Sequence, residues 1–247
     1  MSADFTLEAY RALLSSFSER GYATVDFSEV LSEQRHLLLR HDLDMSIEAA
    51  LHVARVEHAL GMKATYFVLL RTEFYNPFSE IARETLFEIM NLGHRIGLHF
   101  DASLYQDGGG DFENVVDWEC ETLSRLLRRE VDIVSFHRPV EKLLNLSTPI
   151  AGRIHTYQPV FFSDIGYCSD SRGGWHYGHP LKHEAVAQGH ALQLLTHPIW
   201  WTGQGVGPQA RLDEFADQRD AFIRDELERN CESYKAPTGQ SRGFKNE

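Results

Sequence analysis

The sequence predicts an α/β fold built on a mostly parallel sheet, and three observations predict it. Short buried runs alternate along the chain with helical stretches of about a dozen residues, as repeated βα units require. The 247 residues fit one α/β barrel, which can use such a length as a single domain. At 43% hydrophobic and 24% charged, the composition suits a sizeable core and excludes disorder, collagen and coiled coil.

The elements follow in order. A helix is expected over 7–18, where Leu7, Tyr10, Leu13 and Leu14 recur at helical spacing. The apolar run 36–40 (His-Leu-Leu-Leu-Arg) reads as a strand that ends on Asp42-Leu43-Asp44. Ser46 is placed to cap a helix running to about Leu60, which Gly61 closes. Residues 63–70 read as the second strand, 77–91 as a helix stopped by Gly93, and 94–100 as the third strand. A Gly108-Gly109-Gly110 loop precedes a helix over 112–129, and 131–136 is the fourth strand. Between 140 and 165 the period is lost, because Pro149, Gly152 and Pro159 interrupt it. Residues 166–169 and 191–196 complete the strands, and a charged helix covers 209–229. No linker or repeat divides the chain, so one domain is expected over 1–235, with a flexible tail over 236–247.

Charge and cysteine usage narrow the function classes. With 24 Lys+Arg against 36 Asp+Glu the net charge is −12, and no basic stripe is present. Nucleic acid and anionic membrane surfaces are therefore not expected partners, since both need clustered Lys and Arg. Three scattered cysteines (Cys120, Cys168, Cys231) favour a reducing compartment over a disulfide scaffold or a cysteine-rich zinc site. The start Met1-Ser2-Ala3-Asp4-Phe5 has no basic or apolar leader region, and no apolar run approaches the ~18 residues of a membrane helix. A cytoplasmic protein is expected.

In parallel α/β folds ligands bind at the C-terminal ends of the strands. Those ends carry His41-Asp42-Leu43-Asp44, His99-Phe100-Asp101, His137-Arg138-Pro139, Asp170-Ser171-Arg172 with Trp175, and Thr196-His197-Pro198. Asp42 and Asp44, two apart in an extended segment, share one side. Two close carboxylates want a cation between them, or one must protonate; alternatively the pair faces the dipole of the next helix. His99 and Asp101 have the same spacing, although His99 taken alone reads equally well as a core histidine. His197 is a residue type suited to general acid catalysis near neutral pH. Trp200 and Trp201 offer ring surface for a sugar or shielding for the core.

Taken in order, these segments resemble the polysaccharide deacetylase family, the NodB-homology group of carbohydrate esterases, over about residues 36–200. The resemblance implies an incomplete (β/α)7 barrel. Asp42-Leu43-Asp44 is similar to the first family motif, which makes Asp42 the base that activates water and Asp44 a metal ligand. Gly93-His94-Arg95-Ile96-Gly97-Leu98-His99 resembles the second, which makes His99 a ligand. Arg138-Pro139 resembles the third, with Arg138 orienting the base. Asp170, Arg172 and Trp175 resemble the pocket-wall motif and, with Trp200, are the expected substrate-binding residues. Leu195-Thr196-His197 resembles the fifth, which makes His197 the acid that protonates the leaving amine.

Two positions depart from the family pattern. Ser103 stands where a second histidine is common, so Asp101 or His137 is left as the third ligand. Arg95 stands where an acidic residue is common. The resemblance implies a divalent metal, zinc first, and hydrolysis of an acetyl group from an N-acetylated sugar or related intracellular carbohydrate metabolite. A metal-independent amide hydrolase of the allantoinase kind and a non-catalytic carbohydrate-binding member are the alternatives. The partner expected is a small-molecule or carbohydrate substrate; the sequence does not specify an oligomeric state.

Overall fold

Alternation along one strand sets the architecture. In β2 (His36–Leu43) all but the first residue are buried, so the strand is covered on both faces. Leu38, Arg40 and Asp42 point to one face and Leu37, Leu39 and His41 to the other. The first set packs among other strands: Leu38 clusters with Phe67 and Ile133, and the Arg40 guanidinium lies over the Phe67 ring. The second set meets helices, with His41 hydrogen-bonded to Glu57. One face is therefore the interior of a curled sheet and the other its helical coat.

A computed structural model describes residues 5–105, 112–144, 146–204 and 206–235. Among them the elements run α1 (Leu7–Glu19), β1 (Ala23–Thr24), β2, α2 (Glu48–Ala59), β3 (Thr65–Leu69), α3 (Glu80–Asn91), β4 (Arg95–Asp101) and α4 (Phe112–Leu127). They continue β5 (Ile133–His137), β6 (Ile154–His155), α5 (Pro159–Phe162), β7 (Gly166–Ser169), α6 (Glu184–Gln188), β8 (Leu192–Thr196) and α7 (Pro208–Asn230). The strands pair in parallel in the order β6-β5-β4-β3-β2-β8-β7, with the short β1 beside β2. No ladder joins β6 to β7 among the described residues, so the barrel stays open there and is the expected incomplete (β/α)7 form. Across that seam the rings of Tyr157, Phe162 and Tyr167 touch in series, at 5.0 Å between centroids at each contact.

The interior is layered. Phe27, Leu38, Phe67, Ile133, Phe161, Ile165 and Ala191 form an apolar plug near the strand starts. Gly97 on β4 makes room for it: a Cβ there would lie 2.5 Å from the Phe67 ring. Arg40 forms the next layer, and the acidic and histidine side chains sit above it, at the strand ends.

The strands and most helices fall where the sequence places them, with shifted ends. The first buried strand runs on to Leu43, so Asp42 lies within it. Helix α3 starts at Glu80 rather than at 77, because Ser79 caps it by accepting from the Ala82 amide at 3.3 Å. Ser46 accepts from the Ala49 amide at 3.1 Å, as a cap should. Strand β6 and helix α5 come from the stretch where prolines and a glycine break the period, and β1 and α6 are too short to register one. The Gly108-Gly109-Gly110 loop and the 236–247 tail lie outside the described residues.

The chain divides into two compact units, one spanning Phe5–Thr202 and containing the barrel. The other includes everything from Gly203 onward, and its described part is dominated by α7. Along α7 the charged pairs Arg224–Asp220 and Arg229–Glu226, both at 2.7 Å, lie one helical turn apart. No helix among the described residues is long and apolar enough to cross a membrane.

Candidate active site

Each strand contributes one side chain per layer, and register decides which ones meet. Parallel pairing sets His99 beside Ser135 and Asp101 beside His137. His99 Nδ1 bonds the Ser135 hydroxyl at 2.6 Å, which turns Nε2 toward the carboxylates. That nitrogen is 3.0 Å from Asp44 Oδ1 and 3.6 Å from Asp42 Oδ2. His137 Nδ1 approaches Asp44 Oδ1 at 3.3 Å.

Asp44, His99 and His137 each offer a ligand atom, and all three atoms lie within 4.8 Å of one another. Two imidazoles and one carboxylate suit a borderline divalent ion such as zinc, so the donor set fits the group the family resemblance implies. Asp101 does not join them. Its Oδ1 accepts from the Ser103 hydroxyl at 2.6 Å and the Ser103 amide at 3.0 Å, and its Oδ2 pairs with Arg138. The serine at the departing position thus ties down the competing carboxylate, and the histidine that completes the group of three able to hold a metal comes from β5.

Asp42 is clamped by an arginine, which is Arg40 rather than Arg138. Arg40 donates from Nε to Oδ1 at 2.9 Å and from Nη2 to Oδ2 at 2.8 Å, a bidentate fork. The guanidinium is fully buried, donates to Gln193 Oε1 at 3.4 Å and lies over the rings of Phe67 and Tyr157. Burial pushes the Asp42 carboxyl up, but Arg40, then His99, outweigh it and hold it below its usual range. Asp44 is held well below that range, against its burial, by hydrogen bonds from His137 and His99.

His197 is fixed from behind. Asp170, fully buried, accepts from His197 Nδ1 at 2.6 Å, from the His197 amide at 3.0 Å and from Trp201 Nε1 at 2.8 Å. Nε2 is thereby left toward Asp44, 3.7 Å from Oδ2. Burial alone would push the imidazole down; the Asp170 bond and charge, with Asp44 and Asp42 beyond, push it up to about 9. The pairing with Asp170 favours the protonated ring, a form suited to general acid catalysis.

A cavity of about 290 Å³ opens over these groups, with Asp42, Asp44, His99, His137, His197, Arg138, Arg172 and Trp200 in its wall. Of the expected substrate-binding residues, Arg172 and Trp200 line it. Asp170 lies behind His197 instead, and Trp175 packs among Phe5, Trp201 and His179. Arg40, Ser135, Tyr157, Tyr167 and Gln193 are the site residues that the sequence does not single out. Arg40 carries a signal all the same: an arginine inside an apolar strand needs a buried counter-ion, and Asp42 is two residues on. Arg95, the other departure, pairs with Asp132 at 2.5 Å at the opposite end of β4 from the site.

No family model and no curated protein matches the chain. Among solved structures, the Streptococcus pyogenes deacetylase PplD in complex with acetate is similar at 12% identity and a TM-score of 0.44, over 84% of this chain and 85% of that one. A family 4 carbohydrate esterase from Bacillus anthracis is similar at 14% identity and a TM-score of 0.39, over 90% and 88%. The chemistry of the site is carried by its own side chains rather than by these likenesses.

Proposed function

We propose that the chain is a metal-dependent hydrolase that removes an acetyl group from an N-acetylated sugar or related small carbohydrate. One observation carries the reading: a fixed base and a fixed acid flank one ligand set. Asp42 stands 3.6 Å from the His99 ligand atom and His197 stands 3.7 Å from Asp44. Bound by Asp44, His99 and His137, a zinc or similar ion would supply Lewis-acid polarisation of the acetyl carbonyl and a lowered pKa for water.

The chain's own residues do the rest. Arg40 keeps Asp42 ionised and oriented, so that its carboxylate takes the proton of the attacking water as the new C–O bond forms. His197 Nε2 delivers its proton to the nitrogen as the C–N bond breaks, and acetate and the free amine leave. Asp170 holds the ring for both the loss and the recovery of that proton. Positioned acid–base groups of this kind are worth about 10²–10⁴-fold each.

The test is acetate release from a panel of N-acetylhexosamines by zinc-loaded protein, beside Asp42→Asn and His197→Ala. Turnover should fall by about 10²–10⁴ in each variant. Retention of more than about a tenth of the wild-type rate in either overturns the assigned roles. Turnover that survives exhaustive chelation would instead favour a metal-independent amide hydrolase, and sugar binding without turnover a binding protein. A reducing, cytoplasmic compartment belongs to this reading, supported by three free cysteines.

A further inference from the structure

Two arginines meet the cavity in a backbone conformation that arginine rarely adopts. Four described non-glycine residues have positive φ, and two of them, Arg138 (49°) and Arg172 (61°), are in the cavity wall. Residues held in this region cluster where ligands are bound. The two guanidinium groups differ in their partners. Arg138 is 63% exposed and paired with Asp101. Arg172 is exposed and has neither a hydrogen-bond nor an ion-pair partner among the described residues.

The carboxylates around the cavity are already committed elsewhere. Asp42 is taken by Arg40, Asp44 by the two histidines, Asp101 by Arg138 and Ser103, and Asp170 by His197 and Trp201. In a chain of net charge −12, Arg172 is a cation in the cavity wall with no side-chain partner among the described residues.

We propose that the cavity takes an acylated sugar that also carries an anionic oxygen group, phosphoryl or carboxylate, held by Arg172 with Arg138 beside it. Guanidinium forks match both groups in bidentate fashion. The sugar rests on the deacetylase reading; the anion rests on the arginines alone.

The experiment titrates full-length, zinc-loaded protein, in an Asp42→Asn or His197→Ala background that does not consume the ligand. The probes are N-acetylglucosamine, its 1-phosphate, and N-acetylmuramate as the carboxylate. At least one anionic probe should bind about tenfold or more tightly than the neutral sugar, and the stronger of the two identifies the group. Adding Arg172→Gln should cut that preference to about threefold or less, while Arg172→Lys retains part of it. Equal affinity for all three probes, or a preference that survives Arg172→Gln, overturns the proposal. Acetate release is read separately on the wild type. A preference without acetate release refutes the deacetylase and leaves the anion site standing; acetate release without a preference does the reverse.

Discussion

His41 and Asp42 are neighbours on one strand, both buried, and each belongs to a network of carboxylate and imidazole, yet only one network opens on a cavity. Behind the sheet, Glu57 accepts from Tyr10 at 2.6 Å, Tyr66 at 2.5 Å and His41 at 2.6 Å, and His41 bonds Thr196 at 2.7 Å. Every member is spoken for, and none of them is in the cavity wall. In front of the sheet, Asp42, Asp44, His99, His137 and His197 line a cavity, and the ligand atoms of Asp44, His99 and His137 lie within 4.8 Å of one another there. The same residue types are structural where each proton has a home, and reactive where like groups converge on open space.

Three measurements would break or sharpen that contrast. The largest effect is expected from Glu57→Ala. It strips a buried carboxylate of its role while leaving His41 and two tyrosines facing a void, and should cost about 3–5 kcal/mol in urea unfolding. Turnover per folded molecule should stay within about threefold of wild type; a loss like that of Asp42→Asn would make the rear network part of the machinery.

Next in size is Glu119 on α4, a third kind of buried acid. Burial pushes its carboxyl up to about 7, and the ion pair with the half-exposed Arg71 at 2.6 Å offsets this only in part. The folded pKa exceeds the unfolded one, so the folded state binds the extra proton. Its stabilisation is full below pH 4.5 and is lost as pH rises toward about 7. Glu119→Gln should remove up to about 3 kcal/mol of that pH dependence, read as the difference between wild-type and variant unfolding curves. Parallel curves for the two proteins would show that Glu119 titrates normally.

The smallest effect is expected from Asp170→Asn. The wild-type rate should fall as pH rises through about 9, where His197 loses its proton. Without the Asp170 charge that alkaline limb should move down by a unit or more, about 1.4 kcal/mol. An unmoved limb would mean that His197 is not the acid.

Much of the fold is legible in the chain because strand alternation is local. Buried runs, stop glycines and chemical residues just past each run lie within a few positions of one another. Asp42, Asp44, His99 and His197 are therefore readable as strand-end residues from the chain, and the family resemblance is what singles them out as a set. The third ligand is not, because Asp101 and His137 both point inward at paired register positions, and only the side chains of Ser103 and Arg138 decide between them. Arg138 is misread for a related reason: its partner Asp101 lies 37 residues away and reaches it only because β4 pairs with β5, whereas Arg40 has Asp42 two residues on. Strand β6 is two residues long and exists because β5 offers it an edge, so it has no period to read.

The open seam gives the cavity an adjustable wall. Elsewhere around the barrel, neighbouring strands are stitched by backbone hydrogen bonds that do not depend on side-chain identity. Between β6 and β7 the wall is three touching rings, and two of them, Tyr157 and Tyr167, line the cavity. Exchanging those rings for smaller or larger side chains would widen or narrow the slot without unzipping a ladder. Selection for a new substrate size can therefore act on two or three codons there, while the strands that carry Asp42, His99, His137 and His197 keep their register.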